Sequence, residues 1–273
     1  MDPGLPETAA SETQSPRGVF VGLFAPSVRD AICGEGLSVV RLVIPASERL
    51  LDLQLFCADG LEAEVELTLA IRDVETGLVL AGLNFCLVQN EGERVAIIGS
   101  VHAAVDPRMR SLIRDVTKDL FGFRPKALAL WCLQQLTSLW GVSQIQAVGD
   151  VQQVRCRWRK QVEITARYDE FWRESDGREL SGGGGWRLPL RPHYRTRDEL
   201  KPSRRRAHER RYSMLAGLQP TLIAAFAALV PGPEGSFRAM ARPMEHICSS
   251  GGTGFCESRA MRTSDLLATN HSF

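Results

Sequence analysis

Hydrophobic and polar residues alternate with a period of two over residues 63–72, which predicts a β-strand because a helix would repeat every three to four residues. Apolar stretches over residues 78–88 and 94–103 follow after short polar turns. Short connections between strands favour an antiparallel meander. Earlier in the chain, residues 45–53 have Ser47 as a candidate N-cap, which predicts a short helix before the strands.

The pattern changes to a helical period after residue 106. Residues 107–121 carry apolar side chains every three or four positions, which predicts an amphipathic helix with Asp106 as its N-cap. Residues 125–140 are apolar on nearly all sides, so we expect this second helix to be buried against the sheet. Gly141 ends that helix, and residues 144–148 predict a strand that returns to the sheet.

The second half of the chain predicts two short strands and a long helix. Residues 161–167 and 185–190 predict the strands, with a helical turn over residues 168–174 between them. Residues 197–230 predict a helix that Pro220 interrupts, because proline lacks the amide hydrogen and its ring clashes with the preceding turn. Together these elements predict an α/β (α+β) fold with a mainly antiparallel sheet and flanking helices.

Composition separates two terminal segments from one folded domain. Residues 1–17 are rich in Pro, Ser, Glu and Ala, which predicts a disordered N-terminal tail without the features of a secretory signal. Residues 18–230 predict a single α/β domain, and residues 231–273 predict a C-terminal extension of low order. The longest apolar run near the C-terminus, residues 222–230, is much shorter than the roughly 20 residues that span a bilayer, so we expect no transmembrane segment.

Cysteine usage indicates a reducing compartment. The seven cysteines are scattered and include no C-x-x-C pair. We therefore expect reduced thiols that act as small core residues in a cytoplasmic protein, and no metal site.

Lysine and arginine are concentrated between residues 191 and 212, where nine of them face three acidic residues in a chain of formal net charge +1. On a helix, like charges three or four positions apart repel, so the segment costs stability unless anions lie nearby. The anion would be phosphate on a small molecule, a lipid headgroup or nucleic acid, or else acidic side chains of the same fold. Nucleic acid is disfavoured because no recognition signature accompanies the charge. The candidate anion-binding residues are Arg204, Arg205, Arg206, Arg210 and Arg211.

A second candidate site lies at the start of the buried helix. Gly122, Arg124 and Lys126 stand where unpaired helix amides carry a partial positive charge, and two cationic side chains would add to it. This combination suits a pyrophosphate and makes the three residues candidates for binding a cofactor. The alternative interpretation is a glycine-terminated helix followed by one that a proline initiates.

A third group mixes carboxylates with aromatic rings over residues 168–172. Desolvation by the rings would raise the pKa of a carboxyl group and make it a general base. The alternative is that the rings dock a helical turn and leave the acids to pair with arginines. Asp169, Glu170 and His102, which lies on the last strand of the meander, are therefore the candidate catalytic residues.

Five short motifs follow one another in a characteristic order, and this order and spacing resemble the VirK/YbjX family of bacterial proteins over about residues 78–226. They are Phe123-Arg124-Pro125-Lys126, Tyr168-Asp169-Glu170-Phe171-Trp172, Leu188-Pro189, Arg204-Arg205-Arg206-Ala207 and Arg210-Arg211-Tyr212. The resemblance implies a Gram-negative cytoplasmic protein connected with envelope remodelling, virulence and resistance to antimicrobial peptides. The chain departs from the family at Gly99-Ser100-Val101-His102-Ala103, where a glycine-rich strand end is usual, and at Ser175-Asp176, where a glycine pair is usual.

The predicted order of sheet, helix and returning strand is also the layout of the GNAT acyltransferases. In that fold the loop before the helix holds the pyrophosphate of coenzyme A, a part that Arg124 and Lys126 would take here. By this analogy of fold the protein would bind acyl-coenzyme A as an acyltransferase or acyl-group binder, although the Arg/Gln-x-x-Gly-x-Gly signature is absent. The alternative is a non-enzymatic interaction protein at the inner membrane whose arginine helix binds acidic lipid or an acidic partner.

Overall fold

The computed structural model describes residues 23–57, 67–90, 92–103, 109–152, 167–181 and 185–230. The predicted tail, the predicted C-terminal extension and nearly all of the predicted strand over residues 161–167 lie outside these ranges. The strands are β1 (Leu37–Ile44), β2 (Arg49–Cys57), β3 (Leu67–Asp73), β4 (Val79–Asn90), β5 (Glu93–Ala103), β6 (Val142–Val148), β7 (Arg178–Glu179) and β8 (Gly185–Leu188). The helices are α1 (Pro26–Cys33), α2 (Met109–Asp119), α3 (Pro125–Leu139), α4 (Tyr168–Glu174) and α5 (Pro202–Ala227).

All eight of these strands belong to one sheet, in the order β1-β2-β3-β4-β5-β6-β8-β7. The first five strands form an antiparallel meander. The short turns predict its last three strands, β3 to β5, whereas the sequence pattern does not predict β1 and β2. β6 lies parallel to β5, and such a pair requires a crossover, which α2 and α3 supply. β8 and then β7 continue the sheet in antiparallel pairing. The predicted α/β (α+β) fold with a mainly antiparallel sheet is confirmed.

Helix α3 lies at the centre of the core, against β3, β4, β5 and β6. The prediction that its all-round apolar surface is buried is confirmed, since Trp131 and Trp140, which follows its last residue, are almost wholly inaccessible. The ring of Trp140 lies 5.9 Å from Phe24, 6.0 Å from Phe85 on β4 and 6.0 Å from Phe226 on α5, measured between centroids. One side chain therefore joins the N-terminal segment, the sheet and the last helix.

The helix predicted over residues 45–53 is wrong. A turn with Glu48 at φ 56° joins β1 to β2, and Ser47 lies in that turn instead of capping a helix. Leu51, Leu53 and Leu55 of β2 are each at most 1% exposed, so every second residue enters the core. Burial of this period-two set decided the structure over the local capping signal.

Helix α5 begins later and runs further without interruption than predicted. It starts at Pro202 instead of residue 197 and continues through Pro220. Leu215, Leu218 and Leu222 are buried at helical spacing on both sides of the proline. Because Pro220 itself is exposed, packing of the opposite face keeps the helix continuous at the cost of one backbone hydrogen bond. No helix among the described residues has the length and apolarity needed to cross a membrane.

Two cysteines contradict the expectation of reduced thiols. Cys33 at the end of α1 and Cys57 at the end of β2 form a disulfide, with a Cα–Cα distance of 4.9 Å. Cys132 is a buried thiol in α3, and burial raises its pKa, as expected for a cysteine that serves as a core residue.

Candidate functional site

The candidate site lies at the end of the sheet where β5 and β6 reach their C-termini. The ladder between these parallel strands runs from Arg94 opposite Val142 to Ile98 opposite Ala147. Beyond Ile98, β5 continues to Ala103 in pairing with β4 only. The strands therefore part at this end of the sheet. Helix α3 connects back toward the start of β6, so its N-terminus lies at the same end.

Helix α4 is attached to both strands where they part. The Tyr168 hydroxyl lies 3.2 Å from both backbone groups of Val101 on β5, accepting from the N–H and donating to the carbonyl. The indole Nε1 of Trp172 donates to the carbonyl of Val148, the last residue of β6, at 2.8 Å. With Phe171, these rings are buried and form what we name the aromatic wedge: Tyr168, Phe171 and Trp172.

Asp169, a candidate base, is held by donors from two directions. Its Oδ1 accepts from the indole Nε1 of Trp186 at 2.8 Å and from the backbone N–H of Asp150 at 3.1 Å. The carboxylate of Asp150 in turn accepts from the backbone N–H of Tyr168 at 2.7 Å. This exchange fixes the start of α4 to the end of β6 and to β8. The geometry gives Asp169 a structural role.

The two other candidate bases occupy different surroundings. Glu170 is exposed and forms an ion pair with Arg167 at 3.5 Å. His102 lies on β5 directly after Val101, and its Nε2 is 2.9 Å from the Ser100 hydroxyl. Of the three candidates, His102 is the one that lies on the part of β5 beyond its pairing with β6. Among the described residues, no group of three or more His, Cys, Asp or Glu is placed to hold a metal ion.

The residues proposed to bind a cofactor meet the aromatic wedge. Lys126 Nζ lies 4.4 Å above the Phe171 ring, and Arg124 lies 6.0 Å from the same ring. Burial, and then the charge of Arg124, lower the pKa of Lys126. Arg124 also forms an ion pair with Glu174, the last residue of α4. The structure thus brings the candidate cofactor residues into contact with the aromatic wedge, two sites that lie far apart in the sequence. Glu174 is a partner of Arg124 that no sequence signal indicated.

The candidate anion-binding arginines divide into two sets. Arg205 donates from Nε to the carbonyls of Arg197 and Leu200, at 3.0 and 3.2 Å, so it holds the loop before α5. Arg211 donates to the carbonyl of Phe121 at 2.9 Å and lies over the Phe123 ring at 5.4 Å.

The other three, Arg204, Arg206 and Arg210, are exposed and form no ion pair within the described part of the chain. Their guanidinium groups are therefore open to solvent and to a ligand, whereas those of Arg205 and Arg211 are already used by the fold.

Arg211 also connects α5 to the candidate cofactor residues. Gly122 has a φ of 79°, and a Cβ added to it would lie 3.2 Å from Nη2 of Arg211. On the same face of α5, the Tyr212 hydroxyl lies 3.2 Å from Nδ1 of His208 and accepts from the backbone N–H of Arg195 at 3.0 Å.

We name four basic residues of this region the α5 cluster: Arg195, Arg204, His208 and Arg211. Arg204, His208 and Arg211 share one face of α5 because of their spacing of four and three residues, whereas Arg195 lies in the loop before the helix.

Comparison with known proteins gives a family match over most of the chain. A family model described as a protein of unknown function (DUF535) matches residues 21–224. A protein of Escherichia coli K12 described as uncharacterized protein YbjX is 29% identical over 194 residues, which are 70% of this chain and 58% of that protein. An uncharacterized protein of Haemophilus influenzae Rd is 24% identical over 180 residues, 62% of this chain and 60% of that protein. The chain thus spans about three fifths of the length of these relatives.

Proposed function

The chain belongs to the DUF535 family, in agreement with the VirK/YbjX resemblance of its motifs, and on this premise we propose that it binds acyl-coenzyme A as a GNAT-like acyltransferase or acyl-group binder. The observation that carries the proposal is the parting of β5 and β6 beside the N-terminus of α3. The acyl arm would enter between the strand ends. The phosphates would lie against the amides and cations of Gly122, Arg124 and Lys126.

The contact of Tyr168 with Val101 bears on how the arm would enter. The hydroxyl already uses the two backbone groups of Val101 that a bound arm would use. In the proposed complex the hydroxyl leaves Val101 and the arm takes its place. Tyr168→Phe is therefore expected to bind an acyl donor more tightly than the unaltered chain, because nothing then has to be displaced.

His102 is the proposed general base for acyl transfer to an envelope-related acceptor. The imidazole would take a proton from an amine or hydroxyl of the acceptor, whose lone pair attacks the thioester carbonyl. The carbon–sulfur bond then breaks, and the thiolate of coenzyme A leaves and is protonated. His102 is favoured over Asp169, which accepts two hydrogen bonds from the fold, and over Glu170, which is exposed beside Arg167.

Calorimetry with acetyl- and palmitoyl-coenzyme A tests the proposal, with free coenzyme A as the reference ligand. Lys126→Gln is expected to weaken binding about tenfold, since it removes a charge that burial leaves poorly solvated. Arg114→Gln, an exposed change on the neighbouring helix α2, is the matched control and should leave affinity unchanged. His102→Gln should abolish turnover and preserve binding. Absence of binding at millimolar concentrations of both thioesters would overturn the proposal.

A second candidate function rests on the exposed arginines of α5. Arg204, Arg206 and Arg210 present three charges without an ion pair in the described chain, which favours a non-enzymatic protein that binds acidic lipid or an acidic partner. Sedimentation with vesicles should then depend on anionic lipid and weaken steeply with salt. Replacing these three arginines by glutamine should abolish association without altering the melt, because Arg205 and Arg211, which hold the backbone, are kept.

Both candidates fit a cytoplasmic protein that is peripheral at the inner membrane, and we propose that location. The Cys33–Cys57 disulfide is the observation against it, since disulfides are rare in reducing compartments. Thiol labelling of the protein in freshly quenched cells shows whether Cys33 and Cys57 are reduced or form the disulfide in the cell. Labelling of Cys33 and Cys57 supports the cytoplasm, and protection of both contradicts it.

A further inference from the structure

The α5 cluster collects positive charge on one face of a helix. Arg204, His208 and Arg211 follow one another at spacings of four and three, so their side chains share that face. Arg195 is tied to it from the preceding loop, because its backbone N–H donates to Tyr212, which also contacts His208. Hydrogen bonds therefore fix the backbone of Arg195 and the side chains of His208 and Tyr212 relative to one another.

Among the described residues, the positive charge at this face is partly offset by the carboxylate of Glu199, which acts on Arg195. Burial lowers the pKa of His208 first, and the charges of Arg211, Arg195 and Arg204 then lower it further. Within the part of the chain that the structure describes, the charges that lower the pKa of this imidazole are those of three arginines. The carboxylate of Glu199 accepts from the backbone N–H and hydroxyl of Thr196, at 2.6 and 2.8 Å, and the charges of His193 and Arg195 also lower its pKa.

Arg211 retains a donor that the fold does not use. Its Nη2 donates to the Phe121 carbonyl, but its Nε is buried and has no hydrogen-bond partner among the described residues. A buried donor without an acceptor costs stability, and repulsion between like charges at helical spacing adds a smaller cost. An anion with several acceptor oxygens that binds at this face would offset the repulsion between the positive charges.

We propose that Arg195, Arg204, His208 and Arg211 form a discrete site for a phosphate monoester dianion. Three guanidinium groups and an imidazole supply donors to the phosphate oxygens, and the aromatic rings of Tyr194 and Tyr212, whose centroids lie 4.9 Å apart, border the site. The site does not depend on the acyl donor proposed above. It takes phosphate from either of two sources, a free phosphorylated small molecule or the headgroup of a phosphorylated lipid.

Titration with inorganic phosphate, followed through the imidazole signals of His208 by NMR, tests the site. Sulfate at equal ionic strength serves as the reference anion. Bound phosphate should move the titration of His208 to higher pH, because an anion offsets the arginine charges. Absence of any shift in the His208 titration at 20-fold more phosphate than protein, on the order of 10 mM, would overturn the proposal.

A pair of matched double variants separates a discrete site from diffuse attraction. Arg195→Gln with Arg204→Gln should weaken phosphate binding at least about tenfold, because each arginine supplies charge-assisted hydrogen bonds. Arg110→Gln with Arg114→Gln removes the same charge from exposed positions on α2 and should change affinity less than about twofold. Equal losses in the two double variants would contradict a discrete site. Arg211 is left unchanged because it also holds Phe121.

Vesicles then identify the source of the phosphate. Phosphatidic acid carries a phosphate monoester, whereas phosphatidylglycerol at equal surface charge carries only a diester. Stronger association with phosphatidic acid that is lost with Arg195→Gln and Arg204→Gln supports the site and assigns it to a lipid headgroup. Phosphate binding in solution without a preference between the vesicles supports the site and assigns it to a small molecule.

Discussion

The aromatic wedge and the α5 cluster belong to the same stretch of family motifs but use their polar groups in opposite ways. The wedge bonds its hydroxyl to Val101 and its indole to Val148, and Asp169 beside it accepts from Trp186 and Asp150. In the α5 cluster, Arg204 is exposed and Arg211 has a buried Nε, and within the described ranges the first has no ion pair and the second no hydrogen-bond acceptor.

The comparison distinguishes polar groups that stabilise the fold from polar groups that are available to a ligand. A motif whose polar atoms are all paired inside the fold stabilises it, since removing one partner leaves another buried group unsatisfied. A motif with unpaired charges lowers the stability of the fold, and a ligand that binds to the charges restores that stability. Carboxylates and aromatic rings made residues 168–172 resemble an active site in the sequence. In the structure, it is the arginines of α5 that offer donors to a ligand.

The largest expected effect is the loss of Trp172. Its side chain is wholly buried, so Trp172→Ala should destabilise the protein by about 3–5 kcal/mol through lost burial and the cavity left behind. Denaturant unfolding followed by circular dichroism measures the change. Trp172→Phe should cost less, because it keeps most of the apolar surface and loses the bond to Val148. A change below about 1 kcal/mol for the alanine variant would contradict a structural wedge.

Asp169→Ala tests whether the acid of the motif is structural or catalytic. It should cost about 1–3 kcal/mol, because the Trp186 indole and the Asp150 amide lose their acceptor. Glu170→Ala, one residue later and exposed, is the control and should change stability by less than about 0.5 kcal/mol. An unaltered melt for Asp169→Ala together with lost turnover would return Asp169 to the list of catalytic residues.

The arginines of α5 should separate by their backbone contacts. Arg205→Gln should destabilise by about 1 kcal/mol, since it loses the carbonyls of Arg197 and Leu200. Arg206→Gln should stay within about 0.5 kcal/mol of the unaltered protein, because Arg206 is exposed and forms no ion pair with any residue that the structure describes. Thermal melts at low salt compare the two variants. If both melt alike, the division of the arginines into two sets is wrong.

The smallest expected effect is a dependence of stability on pH that arises from His208. Its pKa is lowered in the folded state, first by burial and then by Arg211, Arg195 and Arg204. The unfolded chain therefore binds a proton more readily, so stability is complete above the unfolded pKa, about 6.5, and falls as pH decreases through the lower folded pKa. Unfolding curves between pH 7.5 and about 5 should be flatter for His208→Gln than for the unaltered chain. Parallel curves would mean that neither burial nor the arginine charges lower the pKa of His208 in the folded state.

Local signals were sufficient for most of the elements. The period-two stretch gave β3, the helical spacing gave α2, and the all-round apolar segment gave the buried helix α3. Local signals misled where two of them competed, as in residues 45–53, where Ser47 resembles a helix cap but alternate leucines enter the core. Proline at position 220 misled for the same reason, because packing of Leu218 and Leu222 outweighs one missing hydrogen bond.

The sequence by itself determined the fold class, the antiparallel meander followed by two helices and a returning strand, and the family to which the motifs belong. Those properties follow from periodicity and from short motifs, which act between neighbours along the chain. Only the tertiary structure decided that Tyr168 bonds Val101, 67 residues away, that Arg124 pairs with Glu174, and that Arg211 reaches Gly122. Such contacts depend on how sheet and helices pack, and hydrogen-bond partners that are distant along the chain leave no periodic trace in it. Tertiary packing therefore explains why the polar groups of the aromatic wedge are hydrogen-bonded within the protein and those of the α5 cluster are available to a ligand.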